Sequence, residues 1–173
     1  ENPELRAARA AGLPVSTLAE VVGTVAAAHR TVAVAGTHGK TTTTSMIAYA
    51  LDRAGLAPSF LLGGLAPDLG GNARFGAGDL FVVEADEYAG RFLALRPDLA
   101  AVTTLEHDHP DIYPTLASLE AAFRAGLDQV RPGGLVLLRA DDPGCARLAA
   151  GLALPAGVRR ESFALAPATA DWM

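Results

Sequence analysis

The stretch Thr31-Val32-Ala33-Val34-Ala35-Gly36-Thr37-His38-Gly39-Lys40-Thr41-Thr42 decides the fold of this chain. Residues 31–35 are apolar or β-branched and predict a short buried strand. Residues 41–54 predict a helix that ends at Gly55. A strand that leads through a glycine-containing loop into a helix is typical of a phosphate-binding loop, because backbone N–H groups and the helix N-terminus attract an anion.

The only lysine of the chain lies in this loop. The sequence has 14 basic residues, and all except Lys40 are arginine. A lysine ammonium is a compact charge on a flexible stem, which suits the β- and γ-phosphates of a nucleotide. Thr41 follows directly and supplies a hydroxyl for a magnesium ion. The residues predicted to bind nucleotide are Gly36, Thr37, His38, Gly39, Lys40, Thr41 and Thr42.

The glycine spacing of the loop is unusual. The common motif is G-x-x-x-x-G-K, whereas here Gly36 is only three residues before Gly39. The loop is therefore interpreted as a shortened phosphate-binding loop. The alternative is an ordinary tight turn that leads into a helix.

Strand and helix patterns alternate along the rest of the chain, which predicts one α/β domain with a mostly parallel sheet flanked by helices. A helix is predicted from Ser16 or Thr17 to about His29, with Glu20 as the capping-box partner of Thr17. The further predicted strands are 59–62, 80–83, 99–103, 135–138 and 162–165. A further helix is predicted over 115–130, and another, capped by Asp141 or Asp142 and with Pro143 in its first turn, is predicted to run to about Ala150.

Composition excludes several classes of protein. Half of the 173 residues are hydrophobic and 19% are charged, which is typical of a globular protein. The net charge of −5 argues against a nucleic-acid partner. No apolar run approaches the roughly 20 residues that cross a bilayer, so no membrane partner is expected. With a single cysteine, Cys145, and no signal peptide, the predicted location is the cytoplasm.

A carboxylate is predicted at the end of the strand 80–83. Glu84 follows four apolar residues, at the sheet edge where α/β proteins bind ligands. From there it is predicted to hold Mg²⁺ opposite Thr41. Asp86 is the reserve candidate, and Glu87 is predicted to face water. The alternative for the whole segment is a solvated acidic turn.

A third cluster, Glu106-His107-Asp108-His109-Pro110-Asp111, follows the strand 99–103. The pattern H-x-H-x-D is also found in zinc-dependent hydrolases. That interpretation requires further histidines, and the only others are His29 and His38. It also gives Lys40 no role.

Together the three segments resemble the central, P-loop-containing ATP-binding domain of the Mur ligases, which build the peptide stem of peptidoglycan. That family shares the shortened loop G-T-x-G-K-T, the sequence EADE after an apolar strand and the run E-x-D-H near a later strand end. The opening Asn2-Pro3-Glu4-Leu5 resembles the linker that leaves the sugar-nucleotide domain of these enzymes. The resemblance implies that residues 1–15 end this linker and that residues 16–173 form a central domain truncated at its carboxyl end.

The resemblance also implies residue roles. Lys40, Glu84 and His109 are the implied catalytic residues, and Thr41, Glu84 and His109 are the implied metal ligands, with His109 at a second magnesium site. Asn72 is implied to contact substrate. One position departs from the family pattern: Thr104 stands where the family usually has asparagine.

The implied activity is ATP-dependent ligation through an acyl phosphate. The implied substrates are ATP with Mg²⁺, UDP-N-acetylmuramate and L-alanine. The alternatives within and outside the family are a ligase that reattaches recycled murein peptide and a non-catalytic nucleotide-binding module. Because the flanking domains are needed for both other substrates, the 173-residue chain alone is expected to bind nucleotide weakly and not to ligate.

Overall fold

A seven-stranded sheet with helices on both faces forms the part of the chain that the computed structural model describes, residues 2–165 and 170–172. The strand order is β3-β2-β4-β1-β5-β6-β7. β3 runs antiparallel to β2, and all other neighbouring strands are parallel. The predicted α/β class with a mostly parallel sheet is therefore confirmed.

The elements agree with the sequence patterns to within a few residues. The strands are β1 (Arg30–Ala35), β2 (Ser59–Ala66), β3 (Gly71–Arg74), β4 (Leu80–Glu84), β5 (Leu99–Val102), β6 (Leu135–Arg139) and β7 (Arg159–Phe163). The α-helices are α1 (Pro3–Ala10), α2 (Leu18–Ala27), α3 (Lys40–Arg53), α4 (Leu116–Leu127) and α5 (Pro143–Ala150). Two 3-10 helices span Pro67–Leu69 and Tyr88–Ala94.

Side-chain caps set the starts of the helices. The Thr17 hydroxyl accepts a hydrogen bond from Glu20 N at the start of α2, and the Glu20 carboxylate accepts one from Thr17 N. This is the predicted capping box. At α5 the Asp142 carboxylate accepts from Cys145 N, and proline occupies the first helical turn, where its missing N–H costs nothing.

Two apolar layers cover the faces of the sheet. Because side chains alternate along a strand, Phe81 and Val83 of β4 lie in the larger cluster, while Val82 lies in the smaller one. The larger cluster includes residues of α2, α4 and α5. The smaller one includes Ala48 of α3. The helix that leaves the glycine loop is thus held against β1, β2 and β4.

Besides the two 3-10 helices, the sequence patterns do not predict one α-helix and one strand. Residues 3–10, interpreted as linker, form helix α1, capped by the Asn2 side chain, which accepts from Glu4 N. Residues 71–74, for which no element is predicted, form the edge strand β3. The last strand was predicted about three residues too late, since β7 spans Arg159–Phe163. The predicted domain boundary after residue 15 stays a prediction.

Cys145 is fully buried in the larger cluster. Burial is the main cause that raises the pKa of this thiol to about 12. The thiol is therefore protonated at neutral pH, and it is not a nucleophile in the folded chain. Within the described residues, no helix has the length and apolar character that a membrane span requires.

The sheet topology brings the three predicted motifs together. β4, β1 and β5 are neighbouring parallel strands, so their carboxyl ends meet at one edge. The loop 36–39 follows β1, Glu84 ends β4, and residues 103–109 follow β5. The chain continues from β1 toward β2 on one side and later returns to β5 on the other, which makes this edge a topological switch point.

Candidate functional site

The loop after β1 depends on two glycines in conformations that L side chains rarely adopt. Gly36 has φ 131° and Gly39 has φ 81°. A Cβ atom at Gly36 would lie 2.3 Å from the Thr103 hydroxyl oxygen, so the loop also needs glycine there for space. Gly39 caps α3, and the helix N-terminus with its free N–H groups therefore begins at Lys40. This local structure is that of an anion-binding loop.

The loop is tied to the end of β5 by a short network. Thr37 N donates to Thr104 O at 2.9 Å, and the Thr37 hydroxyl exchanges hydrogen bonds with the backbone N–H and C=O of Glu106. His38 N donates to the Thr104 hydroxyl at 2.9 Å, and the Thr103 hydroxyl donates to His38 O at 2.6 Å. These contacts fix the curvature of the loop before any ligand binds.

The network also shows what Thr104 does. The sequence departs from the family pattern at this position, where asparagine is usual. The Thr104 hydroxyl accepts the hydrogen bond of His38 N, as an amide oxygen could. The His38 side chain is exposed and lies 3.8 Å from the Glu106 carboxylate.

The Lys40 side chain folds back over the loop. Its ammonium nitrogen lies 2.5 Å from Gly36 O, 3.4 Å from Thr37 O and 3.0 Å from Glu87 Oε1. The side chain of Lys40 is only 14% exposed and that of Glu87 only 1%. The prediction that Glu87 faces water is therefore wrong, and the Lys40 side chain is also largely buried.

The physical reason for the burial of Glu87 lies in the segment that follows it. The 3-10 helix Tyr88–Ala94 places Phe92 in the core, and the Tyr113 hydroxyl donates to Glu87 O at 2.6 Å. Desolvation raises the pKa of Tyr113, which keeps this hydroxyl protonated as a donor. These contacts draw Glu87 inward, beneath the loop.

Thr41, in the first turn of α3, contacts Glu84, the last residue of β4. The Thr41 hydroxyl donates to Glu84 Oε2 at 2.8 Å, and Gly63 N donates to the same oxygen at 2.8 Å. Adjacent oxygen ligands of an octahedral magnesium ion are about 2.9 Å apart. The hydroxyl and the carboxylate are therefore spaced as two neighbouring ligands of Mg²⁺ would be, and both are hard oxygen donors.

His109 approaches the site from the β5 side. Its Nε2 lies 3.8 Å from both Glu87 Oε1 and Asp108 Oδ2, and its ring packs edge-on against Tyr88. Glu87, Asp108 and His109 can each offer a ligand atom within 4.8 Å of the others. His109 also has a positive φ of 52°. The structure thus joins His109 to Lys40 through Glu87, rather than directly to Thr41.

Three predicted residues lie outside these contacts. The His107 ring nitrogen is 2.8 Å from Tyr113 O, and His107 is not in the group of described residues that could share a metal ion. That group contains one histidine, which does not support the zinc-hydrolase interpretation. Thr42 is exposed on the first turn of α3. Asn72 is exposed on β3, the edge strand, which β2 separates from β4.

Sequence reasoning missed two contributors, Gly63 and Thr103. Neither lies in a motif, and each acts through a backbone or hydroxyl contact with a motif residue. A separate cavity of about 470 Å³, lined by Cys145, Ala149 and Arg160 among others, lies between α5 and β7 and contains none of the predicted site residues.

Comparison with known proteins assigns the chain to a family. Residues 34–165 match the model of the Mur ligase middle domain. The chain belongs to the Mur ligase family. This Mur ligase domain is 47% identical to the UDP-N-acetylmuramate–L-alanine ligase of Frankia alni over an alignment of 152 residues. The alignment covers 88% of this chain. The chain spans only 26% of the length of that relative.

Solved structures agree with this Mur ligase assignment. The UDP-N-acetylmuramate:L-alanyl-gamma-D-glutamyl-meso-diaminopimelate ligase of Neisseria meningitides has a TM-score of 0.79 at 32% identity, and the match covers 92% of this chain and 53% of that one. The UDP-N-acetylmuramate–alanine ligase of Thermotoga maritima has a TM-score of 0.76 at 28% identity, covering 96% of this chain and 36% of its own. The fold and the family are therefore the same in all three.

Proposed function

We propose that this chain is the ATP-binding core of a ligase that joins L-alanine to UDP-N-acetylmuramate in peptidoglycan synthesis. The observation that carries the proposal is the meeting of Lys40, Thr41 and Glu84 at the carboxyl ends of neighbouring strands, in a chain 47% identical to an alanine ligase. We also propose that the ligase acts in the cytoplasm, as the sequence predicts.

The loop residues bind the triphosphate in this proposal. The backbone N–H groups at the start of α3 and the Lys40 ammonium neutralise the β- and γ-phosphates, which is the main requirement of phosphoryl transfer. The muramate carboxylate attacks the γ-phosphate, giving an acyl phosphate and ADP. The amine of L-alanine then displaces phosphate.

Thr41 and Glu84 hold Mg²⁺ in this proposal, and His109 with Glu87 and Asp108 holds a second ion. A bound magnesium ion neutralises charge on the phosphates. The fit of these residues to Mg²⁺ rests on the 2.8 Å distance between the Thr41 hydroxyl oxygen and Glu84 Oε2. It also rests on Glu87 Oε2, a buried oxygen without a hydrogen-bond partner among the described residues.

The curated relative at 47% identity is named an alanine ligase, which supports L-alanine as the acceptor. The solved structures do not separate the two activities, since the Neisseria meningitides ligase is 32% identical to this chain and the Thermotoga maritima alanine ligase 28%. Metal-ligating groups beside the loop favour a ligase over a non-catalytic nucleotide-binding module.

The test is a ligation assay on the full-length protein that contains this chain. We expect release of ADP and phosphate that requires both UDP-N-acetylmuramate and L-alanine. Turnover that requires the tripeptide instead of L-alanine would identify a recycling ligase. Nucleotide binding without turnover of either acceptor would identify a non-catalytic module.

Gly63→Ala is expected to weaken magnesium-dependent nucleotide binding roughly ten- to a hundredfold, as is usual when a group that orients a metal ligand is lost. A Cβ atom at residue 63 would lie 2.6 Å and 2.7 Å from the two carboxylate oxygens of Glu84, and would push them away from Thr41. Calorimetric titration with ADP in the presence of Mg²⁺ measures the effect.

Gly64→Ala is the matched control for this variant. Its added Cβ would lie 3.5 Å from Thr41 Cγ2, an ordinary van der Waals contact, so binding should be close to that of the unmodified chain. Equal affinities of the two variants would argue against a role for the position of the Glu84 carboxylate.

A further inference from the structure

The Lys40 ammonium has three N–H donors, and the structure gives it three acceptors. Two are loop carbonyls, Gly36 O and Thr37 O, and the third is the carboxylate of Glu87. An ammonium offers no further donor. A nucleotide phosphate that binds Lys40 must therefore displace at least one of these acceptors. Glu87 is the acceptor whose displacement has the largest consequence, because it carries a full charge.

Glu87 is unusually dependent on a positive partner. Its side chain is 1% exposed, and its Oε2 has no hydrogen-bond partner among the described residues. Removing one member of a buried ion pair leaves an uncompensated charge and is strongly unfavourable. Among the residues that the structure describes, Lys40 is the cation in contact with Glu87, at 3.0 Å, whereas His109 at 3.8 Å is charged only when protonated. If Lys40 turns to a phosphate, Glu87 needs a new counter-charge.

The neighbours of Glu87 can supply a site for that charge. The ligand atoms of Glu87, Asp108 and His109 lie within 4.8 Å of one another. Two carboxylates and an imidazole suit divalent ions such as Mn²⁺ or Mg²⁺. The same oxygen of Glu87, Oε1, contacts the Lys40 ammonium at 3.0 Å and lies 3.8 Å from His109 Nε2, so the lysine and a cation held by His109 would compete for it.

Resting on the nucleotide-binding function proposed above, we propose that Glu87 exchanges its partner when nucleotide binds. The carboxylate releases the Lys40 ammonium to the phosphates and binds a divalent cation together with Asp108 and His109. Glu87 is thus a positioning residue that makes cation binding and nucleotide binding mutually dependent. By linkage, a cation that binds Glu87 raises nucleotide affinity, and nucleotide raises cation affinity by the same factor.

The first test compares ADP affinity with and without Mn²⁺, by calorimetry, in the unmodified chain and in Glu87→Gln. Glutamine keeps the shape but removes the charge that holds Lys40. We expect metal-free ADP to bind Glu87→Gln roughly tenfold more tightly than the unmodified chain, and the gain in affinity from Mn²⁺ to fall roughly tenfold.

Glu106→Gln is the matched control. Glu106 is also a carboxylate near the loop, but it is 65% exposed and its side chain contacts His38 rather than Lys40. Removing this charge should leave unchanged the increase in ADP affinity that Mn²⁺ produces. If Mn²⁺ raised ADP affinity equally little in Glu87→Gln and in Glu106→Gln, the proposed exchange would be wrong. The effect would then come from the loss of any negative charge near the loop.

The second test uses Lys40→Met and does not depend on the folding of Glu87→Gln. Without the ammonium, Glu87 is open to a cation, so Lys40→Met should bind Mn²⁺ at least roughly tenfold more tightly than the unmodified chain when no nucleotide is added. Electron paramagnetic resonance of free Mn²⁺ measures this. Equal or weaker Mn²⁺ binding would overturn the proposal.

The outcomes separate this proposal from the proposed function. If the unmodified chain binds ADP with Mn²⁺, and Mn²⁺ raises the ADP affinity of Glu87→Gln by the same factor, the proposed exchange is wrong. The proposed nucleotide-binding function is then still supported. If neither this chain nor the full-length protein that contains it binds ADP up to millimolar concentration with Mn²⁺ present, both the proposed function and the exchange are wrong.

Discussion

Lys40→Ala is expected to lower the free energy of unfolding by about 3–5 kcal/mol, the usual cost of breaking a buried ion pair by removing one partner. The variant leaves the Glu87 carboxylate, 1% exposed, without its 3.0 Å partner. Chemical denaturation without nucleotide measures the change. The sequence alone predicts almost no effect on stability, because a lysine in a phosphate-binding loop is expected to be exposed.

Two controls make this prediction specific. Arg30→Ala removes a cation from an exposed pair, in which Arg30 and Asp79 are both 71% exposed, and should change stability by less than about 1 kcal/mol. The double variant Lys40→Ala with Glu87→Gln should recover most of the loss, because no buried charge remains. A Lys40→Ala chain as stable as Arg30→Ala would show that the pair is unimportant in solution.

The same substitution is expected to weaken nucleotide binding. A hydrogen bond to a charged group contributes about 1.5–3 kcal/mol, so Mg-ATP affinity should fall by roughly ten- to a hundredfold. Calorimetry should be performed below the unfolding transition of the variant, so that lost affinity is separated from lost structure.

Gly36→Ala is expected to have the second large effect, a loss of about 2–5 kcal/mol in stability together with loss of nucleotide binding. Its φ of 131° is strained for alanine, and the new Cβ would lie 2.3 Å from the Thr103 hydroxyl oxygen and 2.9 Å from Thr104 O. The loop can relieve this only by moving away from β5, which breaks the contacts of Thr37 and His38.

Gly39→Ala is a control that separates the cost of backbone strain at positive φ from the cost of steric overlap of the added Cβ atom. Gly39 also has a positive φ, 81°, but its added Cβ would meet its nearest atom, Thr103 Cβ, at 4.0 Å. Its cost should be that of the backbone conformation alone, about 1–2 kcal/mol. If thermal unfolding showed equal losses for the two variants, the close packing of the loop on β5 would not matter.

The sequence predicts the fold well because the deciding signals are local. The β-branched run 31–35, the Thr17–Glu20 capping box and Pro143 after Asp142 each specify an element from a few neighbouring residues. β3 was not predicted because its residues, Gly71–Arg74, form a strand only by pairing with β2. Helix α1 was not predicted because those residues were interpreted as a linker.

The sequence predicts those site contacts that are made by the side chain of a motif residue lying at or just after the end of a strand. Thr41 and Glu84 are of this kind, since parallel strands bring their carboxyl ends to one edge. Glu87 was not predictable in this way. Its burial depends on Tyr113, 26 residues later in the chain, and on the packing of the following 3-10 helix. The partner of Lys40 is therefore a property of the tertiary structure.

The most direct test of the loop assignment uses the single lysine of the chain. Protein labelled with ¹³C at the lysine ε-carbon gives one side-chain resonance, that of Lys40. We predict that this resonance shifts in a saturable way on titration with Mg-ATP, as the ammonium leaves Glu87 and binds phosphate. A resonance that does not move while calorimetry detects bound Mg-ATP would contradict the account, because the nucleotide would then bind without the lysine.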